Sequence, residues 1–259
     1  MSVIIYDYNE KKQLSEHFNV QEFRCKCGKN HEIKVDEKLI QMLEALFPIL
    51  GAEKCIVSSG YRCPEHDRKV SGSGYGQHTK GTAADVCYYD DSNKPISSKI
   101  VSCKAQDIGF KGIANITRAY DYIHLDMRNI GTYRGDEVKG YNTVTNDFYA
   151  YYGIKRSKVG LEEWQKAAIK DGLSLPSGAD GIWGKECLEA ATKGICKRNT
   201  AAFENRNMTK LIQKAVGVTA DGLFGKNTES AVKEYQKKNG LTADGIVGVK
   251  TWKKILNIK

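Results

Sequence analysis

The second half of the chain repeats one short turn three times, and this repeat constrains the fold more than any other sequence feature. The pattern Asp-Gly-apolar-apolar-Gly occurs at 180–184, 221–225 and 244–248. Asp-Gly forms a tight turn, the apolar pair can enter a core, and the second glycine permits a positive φ before a helix. A glutamine precedes each turn on a helical segment: Gln165, Gln213 and Gln236. Three copies with matching flanks predict an all-α domain built from repeated units.

Charge and aromatic residues divide the chain near residue 155. Residues 1–154 carry 20 basic and 20 acidic side chains, so the formal net charge of +9 lies in 155–259. All three tryptophans follow residue 155, whereas 13 of the 14 tyrosines precede it. A length of 259 residues suits two domains. We therefore predict a first domain at 1–134, a linker at 135–158, where hydrophobic periodicity fades, and the repeat domain at 159–259.

The first half mixes helical and strand patterns. Apolar spacing predicts a helix over 35–50, closed by Pro48 and Gly51. A second helix is expected at 98–108, and glycines make 72–81 a loop. Short β-rich segments predict strands at 55–59, 83–88 and 120–127. This order indicates an α+β domain with a small antiparallel sheet.

Composition and termini narrow the function classes. No apolar run approaches the roughly 20 residues that cross a bilayer, so we expect no membrane span. The N-terminus lacks the pattern of a signal peptide, so we expect synthesis in the cytoplasm and action after release. A basic half suits nucleic acid or an anionic wall polymer, but no nucleic-acid-binding motif is present.

Eight cysteines raise the questions of disulfides and metal. Without an export signal we expect the thiols to stay reduced. Cys25 and Cys27, with His31 nearby, could form half of a metal site. However, the C-x₂-C spacing of zinc knuckles is absent and no second Cys/His pair follows at a fitting distance. Buried free thiols are therefore the preferred interpretation.

Three other residues have the chemistry of a hydrolytic zinc site, which needs His and carboxylate ligands and leaves a position for water. His78 and Asp85 bracket a turn that contains Gly81, and His124 lies in a strand-like segment. Taken alone, this spacing is a weak signal, because a single histidine is more often structural than a ligand.

Three ordered blocks strengthen that signal: Ser59-Gly60-Tyr61-Arg62-Cys63-Pro64, then Gln77-His78-x₃-Gly81-x-Ala83-x-Asp85, then Asp121-x₂-His124-x-Asp126. Over residues 12–134 the chain resembles the zinc D-Ala-D-Ala carboxypeptidase family, which includes L-Ala-D-Glu endopeptidases of phage lysins. The resemblance implies zinc bound by His78, Asp85 and His124. It also implies Asp121 as the general base and Arg62 as a catalytic residue that stabilises the developing oxyanion and holds the substrate carbonyl or carboxylate. We expect Gln77 to bind substrate as well.

The identity of the base depends on strand geometry. In a regular strand Asp121 and His124 point to opposite faces, whereas Asp126 shares the face of His124. Asp121 can act only if it precedes the strand or lies on a bulge. We expect Asp121 to be the base and Asp126 to be a hydrogen-bonding partner of a metal ligand.

The repeats resemble the helical peptidoglycan-binding module of wall hydrolases, although the copy at 180–184 departs from the others by having Cys187 where they have Thr.

Together the resemblances predict a monomeric, zinc-dependent wall peptidase, an antibacterial endolysin of the bacteriophage type. Its partner would be peptidoglycan, with neither nucleic acid nor membrane involved. A non-catalytic wall-binding protein with a vestigial metal site is the alternative. The scissile bond stays open between the carboxypeptidase and endopeptidase types.

Overall fold

The computed structural model describes residues 2–70, 72–116, 121–136, 147–199 and 206–258. The chain divides into two compact units, Met1–Lys155 and Arg156–Lys259. The predicted division into 1–134, 135–158 and 159–259 stays a prediction, since residues 137–146 of the expected linker lie outside the described residues. In the described part of the chain, no helix is both long and apolar enough to cross a membrane.

The first unit is an α+β domain. Its described strands are β1 (Val3–Tyr6), β2 (Ile33–Asp36), β3 (Lys54–Ser59), β4 (Ala83–Tyr89), β5 (Gly112–Asn115), β6 (Ile123–Asp126) and β7 (Tyr133–Asp136). Its described α-helices are α1 (Glu37–Leu50), α2 (Pro64–Lys69), α3 (Gln77–Lys80), α4 (Ser98–Asp107) and α5 (Phe148–Tyr152), and a 3₁₀ helix spans Val20–Phe23. The predicted α+β class is therefore confirmed.

The larger sheet has the strand order β3-β4-β6-β5-β7, and β1 pairs with β2 in a separate sheet. Every pair is antiparallel except β5 with β7, which is parallel, so the larger sheet is mixed. Helix α4 packs against β5, β6 and α1. All residues of β4 from Ala83 to Tyr88 are buried, which places this strand in the core and holds its polar residues rigidly.

Helix α1 shows how local sequence sets an element. The Asp36 carboxylate accepts a hydrogen bond from the Leu39 amide at 2.9 Å and caps the N-terminus. The helix starts at Glu37, two residues later than predicted, continues past Pro48 to the predicted end at Leu50, and is terminated by Gly51 with φ of 62°. Proline lies only two residues before the end, where its missing N–H disturbs a single turn, and the left-handed glycine terminates the helix.

The second unit is helical in its described residues, as predicted. It contains α6 (Leu161–Lys170), α7 (Lys185–Lys193), α8 (Arg206–Val216), α9 (Lys226–Lys238) and α10 (Val249–Leu256). The predicted turns lead into α7, α9 and α10. The expected positive φ lies at the first glycine of each turn, between 75° and 81°, and not at the second, which is extended. Trp164 and Trp252 are fully buried in the shared core, and Trp183 is only 5% exposed.

Candidate metal centre

Two neighbouring strands bring the second and third predicted ligands together. Asp85 on β4 lies directly opposite His124 on β6, so their side chains project from the same face of the sheet. His78 comes from α3, a single helical turn that ends at Gly81 with φ of 75°. A Cβ at Gly81 would lie 2.5 Å from the carbonyl oxygen of Lys34, so only glycine fits where the chain turns from α3 into β4.

The three side chains converge on one point. The His78 Nε2 atom lies 3.1 Å from His124 Nδ1 and 3.2 Å from Asp85 Oδ1. The His124 Nδ1 atom lies 3.0 Å from the same Asp85 oxygen. His78 and Asp85 are buried, and the His124 side chain is 13% exposed, so the cluster opens to solvent on the side of His124.

Each histidine has a partner for its other ring nitrogen. His78 Nδ1 donates to the Gly60 carbonyl oxygen at 2.7 Å, and His124 Nε2 donates to Asp126 Oδ2 at 3.0 Å. In the neutral rings these partners leave lone pairs on His78 Nε2 and His124 Nδ1, the two nitrogens that face Asp85. Asp126 is fully buried and is also bound by the guanidinium of Arg128.

Charges within the cluster strongly perturb its pKa values. Burial disfavours the charged form of Asp85, but the adjacent His78 and His124 hold its pKa well below the usual range. Burial likewise opposes protonation of His124, but hydrogen bonds to Asp126 and Asp85 outweigh this and raise its pKa to about 9. Two carboxylates therefore make this buried site strongly attractive to positive charge.

Arg62 binds the carboxylate oxygen of Asp85 that the histidines do not contact. Its Nη2 donates to Asp85 Oδ2, its Nε donates to Ser59 Oγ at 2.8 Å, and its Nη1 lies 3.5 Å from Asp67 Oδ1. Sequence reasoning missed Ser59 and Asp67 as partners. The glycines at 72 and 74 were a usable signal for Asp67, because a Cβ at Gly72 would collide with its carboxylate.

Asp121 is not brought into this cluster. It precedes β6, which meets the condition stated for a base, but its Oδ1 accepts hydrogen bonds from the backbone N–H and the hydroxyl of Ser98. These bonds, at 2.9 and 3.3 Å, hold the carboxylate at the start of α4. Its assignment as the base stays a prediction.

Gln77 lines a cleft of about 400 Å³ together with Thr82, Arg128 and Ile130, among other residues. The Gln77 Oε1 atom accepts a hydrogen bond from the Thr82 hydroxyl at 2.8 Å, so the amide nitrogen of Gln77 points away from Thr82. Ile130 is 90% exposed at the edge of the cleft. The cleft therefore offers polar and apolar contacts next to the His78 helix.

The donor set fits zinc better than harder cations. Two imidazole nitrogens and one carboxylate oxygen are typical ligands of catalytic zinc sites, whereas calcium and magnesium prefer oxygen alone. Zinc–ligand bonds of about 2.0–2.1 Å in a tetrahedron put neighbouring ligand atoms roughly 3.3 Å apart. The observed separations of 3.0–3.2 Å are close to that value.

Comparison with protein families finds one match in each half of the chain. Residues 16–126 match the model of the Peptidase M15 family, and residues 209–255 match the model described as a putative peptidoglycan binding domain. Searches of curated proteins and of solved structures found no significant match. The second model covers the turns at Asp221 and Asp244 but not the divergent copy at Asp180. Residues 16–126 are therefore similar to M15 peptidases and residues 209–255 to a peptidoglycan-binding domain, a combination that supports a cell-wall peptidase.

Proposed function

We propose that this chain is a zinc-dependent hydrolase of an amide bond in the peptidoglycan stem peptide or cross-link. The observation that carries the proposal is the convergence of His78 Nε2, Asp85 Oδ1 and His124 Nδ1 within 3.0–3.2 Å of one another. One nitrogen of each ring can bind a metal because the other carries a proton to its own acceptor, and a metal ion would displace the second proton that the raised pKa of His124 favours. Zinc is the ion these residues would hold.

Zinc bound there would supply a Lewis acid for the scissile carbonyl and an activated water. Asp121 is proposed to take the proton of that water and return it to the leaving amine. Because its Oδ1 is engaged by Ser98, proton transfer falls to Oδ2. A positioned base of this kind contributes about 10²–10⁴-fold in rate.

Arg62 and Gln77 are proposed to hold the substrate. A guanidinium has five N–H groups, and three of those of Arg62 face Asp85, Ser59 and Asp67 among the described residues. The remaining two can bind a substrate carbonyl or carboxylate oxygen. The amide nitrogen of Gln77 can donate to a peptide carbonyl that lies in the adjacent cleft.

The second unit is proposed to keep the enzyme on the wall. Its excess of lysine and arginine favours an anionic polymer, and tethering raises the local concentration of substrate without tighter binding at the metal centre. We further propose that the protein acts as an endolysin of the phage type on bacterial walls. The family resemblance supports this role.

The proposal is tested by following the loss of turbidity of purified bacterial walls. The zinc-loaded chain should clear the suspension, a chelator should stop it, and added zinc should restore it. The variant His78→Ala should lose the zinc ion of this cluster and, with it, wall clearing. The matched control His66→Ala changes a histidine on α2 outside the cluster and should behave like the unmodified protein.

Wall clearing by His78→Ala at the normal rate would exclude the zinc assignment. Wall binding without clearing by the unmodified, zinc-loaded chain would favour the non-catalytic alternative. Mass spectrometry of the released fragments identifies the new termini. It thereby separates a terminal D-alanine product from cleavage between L-alanine and D-glutamate.

A further inference from the structure

Three cysteine sulfurs meet at a second site, apart from the histidine cluster. The sulfur atoms of Cys25, Cys27 and Cys63 all lie within 4.8 Å of one another, and none is in a disulfide. Cys25 and Cys63 are buried, with Tyr61 packed against them, whereas Cys27 is half-buried. The sequence shows only the Cys25–Cys27 pair as local neighbours, and the fold adds the third thiol from 36 residues later.

Each of the three sulfurs accepts a different backbone N–H. The amide of Cys63 donates to Cys25 Sγ at 3.3 Å, that of Lys29 to Cys27 Sγ at 3.4 Å, and that of His66 to Cys63 Sγ at 3.4 Å. Gly28, with φ of 82°, makes the turn that aims the Lys29 amide at Cys27. A thiol is a weak acceptor, whereas a thiolate is stabilised by such donors, so this arrangement suits sulfur in the form that binds metal.

The dimensions also suit a metal. Zinc–sulfur bonds of about 2.3 Å in a tetrahedron place neighbouring sulfurs roughly 3.8 Å apart, so the cluster needs to contract by about 1 Å at most. A disulfide would use two sulfurs and leave the third beside it without a role. Soft thiolate ligands select zinc over calcium or magnesium.

We propose that Cys25, Cys27 and Cys63 bind a second zinc ion with a structural role. On binding, the three thiols lose three protons to solvent and form three zinc–sulfur bonds, with no change in oxidation state. The resulting site has a net charge of −1, and the ammonium group of Lys29 lies close enough to interact with Cys27 and Cys63.

The fourth ligand can come from the same loop. His31 follows Cys27 by four residues, and among the described residues its buried Nε2 has no hydrogen-bond partner. A Cys₃His set is a common structural zinc site. We assign the three thiolates as the ligands on which the proposal depends.

The site would anchor the turn that supports the histidine cluster. The Tyr61 amide donates to the Phe23 carbonyl oxygen at 2.8 Å, and a Cβ at Gly60 would lie 2.5 Å from the Cα of Phe23. The Gly60 carbonyl oxygen accepts a hydrogen bond from His78 Nδ1, and Arg62 binds Asp85. A zinc ion at Cys63 would therefore hold this turn to the loop that carries Cys25 and Cys27.

The first test counts metal in the full chain, purified under reducing conditions with zinc and then dialysed. Elemental analysis should find two zinc ions per unmodified chain, one in Cys27→Ser and one in His78→Ala. The half-buried Cys27 is the position least disruptive to folding, and Cys55→Ala, a buried thiol on β3, is the matched control that should keep both ions. An unchanged zinc count in Cys27→Ser would overturn the proposal.

The second test replaces zinc with cobalt(II). Absorption from thiolate-to-cobalt charge transfer requires sulfur ligands, which the His78, Asp85 and His124 cluster does not have. The band should appear in the unmodified chain and in His78→Ala, and it should be missing in Cys27→Ser. Its survival in His78→Ala separates this site from the proposed catalytic one, whether or not that centre proves active.

A third readout needs no substitution. In the native, zinc-loaded chain, Cys27 should resist alkylation and become reactive when a strong chelator removes the metal. Mass spectrometry locates the modified residues. Rapid alkylation of Cys27 before chelation, or a disulfide between any two of the three cysteines, would overturn the proposal.

Discussion

Single hydrogen bonds decide which nitrogen of each histidine faces the proposed zinc. The Gly60 carbonyl holds the proton on His78 Nδ1, and Asp126 holds it on His124 Nε2. The two rings therefore present different nitrogens to the same point. Such outer partners also orient the rings and raise the basicity of the coordinating nitrogens.

Asp126 should matter through metal affinity rather than through proton transfer. Its buried carboxylate contacts His124 and Arg128, not the open side of the cluster. We expect Asp126→Asn to weaken zinc binding by about 10–100-fold and to recover activity when zinc is in excess. Competition with a zinc-binding dye measures the change. Asp91→Asn, at an exposed position, is the control, and equal affinity in both variants would contradict this role.

Asp121 should show the opposite behaviour. Asp121→Asn is expected to keep zinc but to lower the turnover of a soluble stem peptide by roughly 10²–10⁴-fold, because the amide cannot carry the proton. Ser98→Ala is the matched control, since it removes one hydrogen bond from the Asp121 carboxylate and leaves the carboxylate in place. Normal turnover by Asp121→Asn, with a loss in Asp126→Asn that excess zinc does not restore, would transfer the role of base to Asp126.

At the scale of elements, the side chain of one glutamine joins each repeated turn to the preceding helix by hydrogen bonds. In the third copy the Gln236 side chain donates to Asp244 Oδ1 and to the Ile246 carbonyl, at 2.9 Å each, and accepts from the Gly245 amide at 2.9 Å. The second copy repeats these bonds at Gln213, and the first repeats them at Gln165.

The divergent first copy retains this geometry. The Gln213 and Gln236 side chains also donate to threonine hydroxyls at 3.1 and 3.2 Å, whereas Gln165 donates to the sulfur of Cys187 at 3.5 Å. Cysteine thus occupies the place of threonine with a weaker acceptor. The first copy therefore differs from the other two in one acceptor of the glutamine side chain, while its turn has the same hydrogen bonds.

Replacing one of these glutamines should destabilise the helical unit. Gln236→Leu keeps similar volume but leaves the Gly245 amide without its acceptor and the Ile246 carbonyl with only the 3.4 Å bond from Thr251, at a cost of about 1–3 kcal/mol in the free energy of unfolding. Denaturant unfolding followed by tryptophan fluorescence reports it, since Trp252 lies in the same core. Lys237→Leu, on the exposed face of α9, should change stability little. Equal midpoints for the two variants would refute the locking role.

For the whole molecule, the concentration of positive charge in the second unit predicts that this unit binds the wall and the first unit carries out the hydrolysis. The first unit alone, residues 1–155, should cleave a soluble stem peptide at the normal rate but clear walls on the order of 10²-fold more slowly at low enzyme concentration. Circular dichroism checks that the shortened chain is folded. Undiminished wall clearing by this fragment would show that the basic unit contributes nothing to targeting.

Local patterns in the sequence predict much of this protein. The apolar spacing of 35–50 anticipates α1, the β-rich segments anticipate β3, β4 and β6, and the repeated Asp-Gly turns anticipate a helical unit. These features depend on residues that are close along the chain, where helix and strand periods and turn chemistry act directly. The three proposed ligands could also be selected, because the ordered motif blocks identify them.

Tertiary structure alone decided the contacts between distant segments. Strand register and helix packing determine three such contacts. They are the parallel pairing of β5 with β7, the binding of Arg62 by Ser59 and Asp67, and the hydrogen bonds between Asp121 and Ser98. The same holds for Cys63, which joins Cys25 and Cys27 only after folding. The sequence determined which residues could bind metal and where helices and strands would form. Only packing decided which distant side chains come into contact. Bringing together two residues that are far apart along the chain costs loop-closure entropy, and the assembled core must offset that cost.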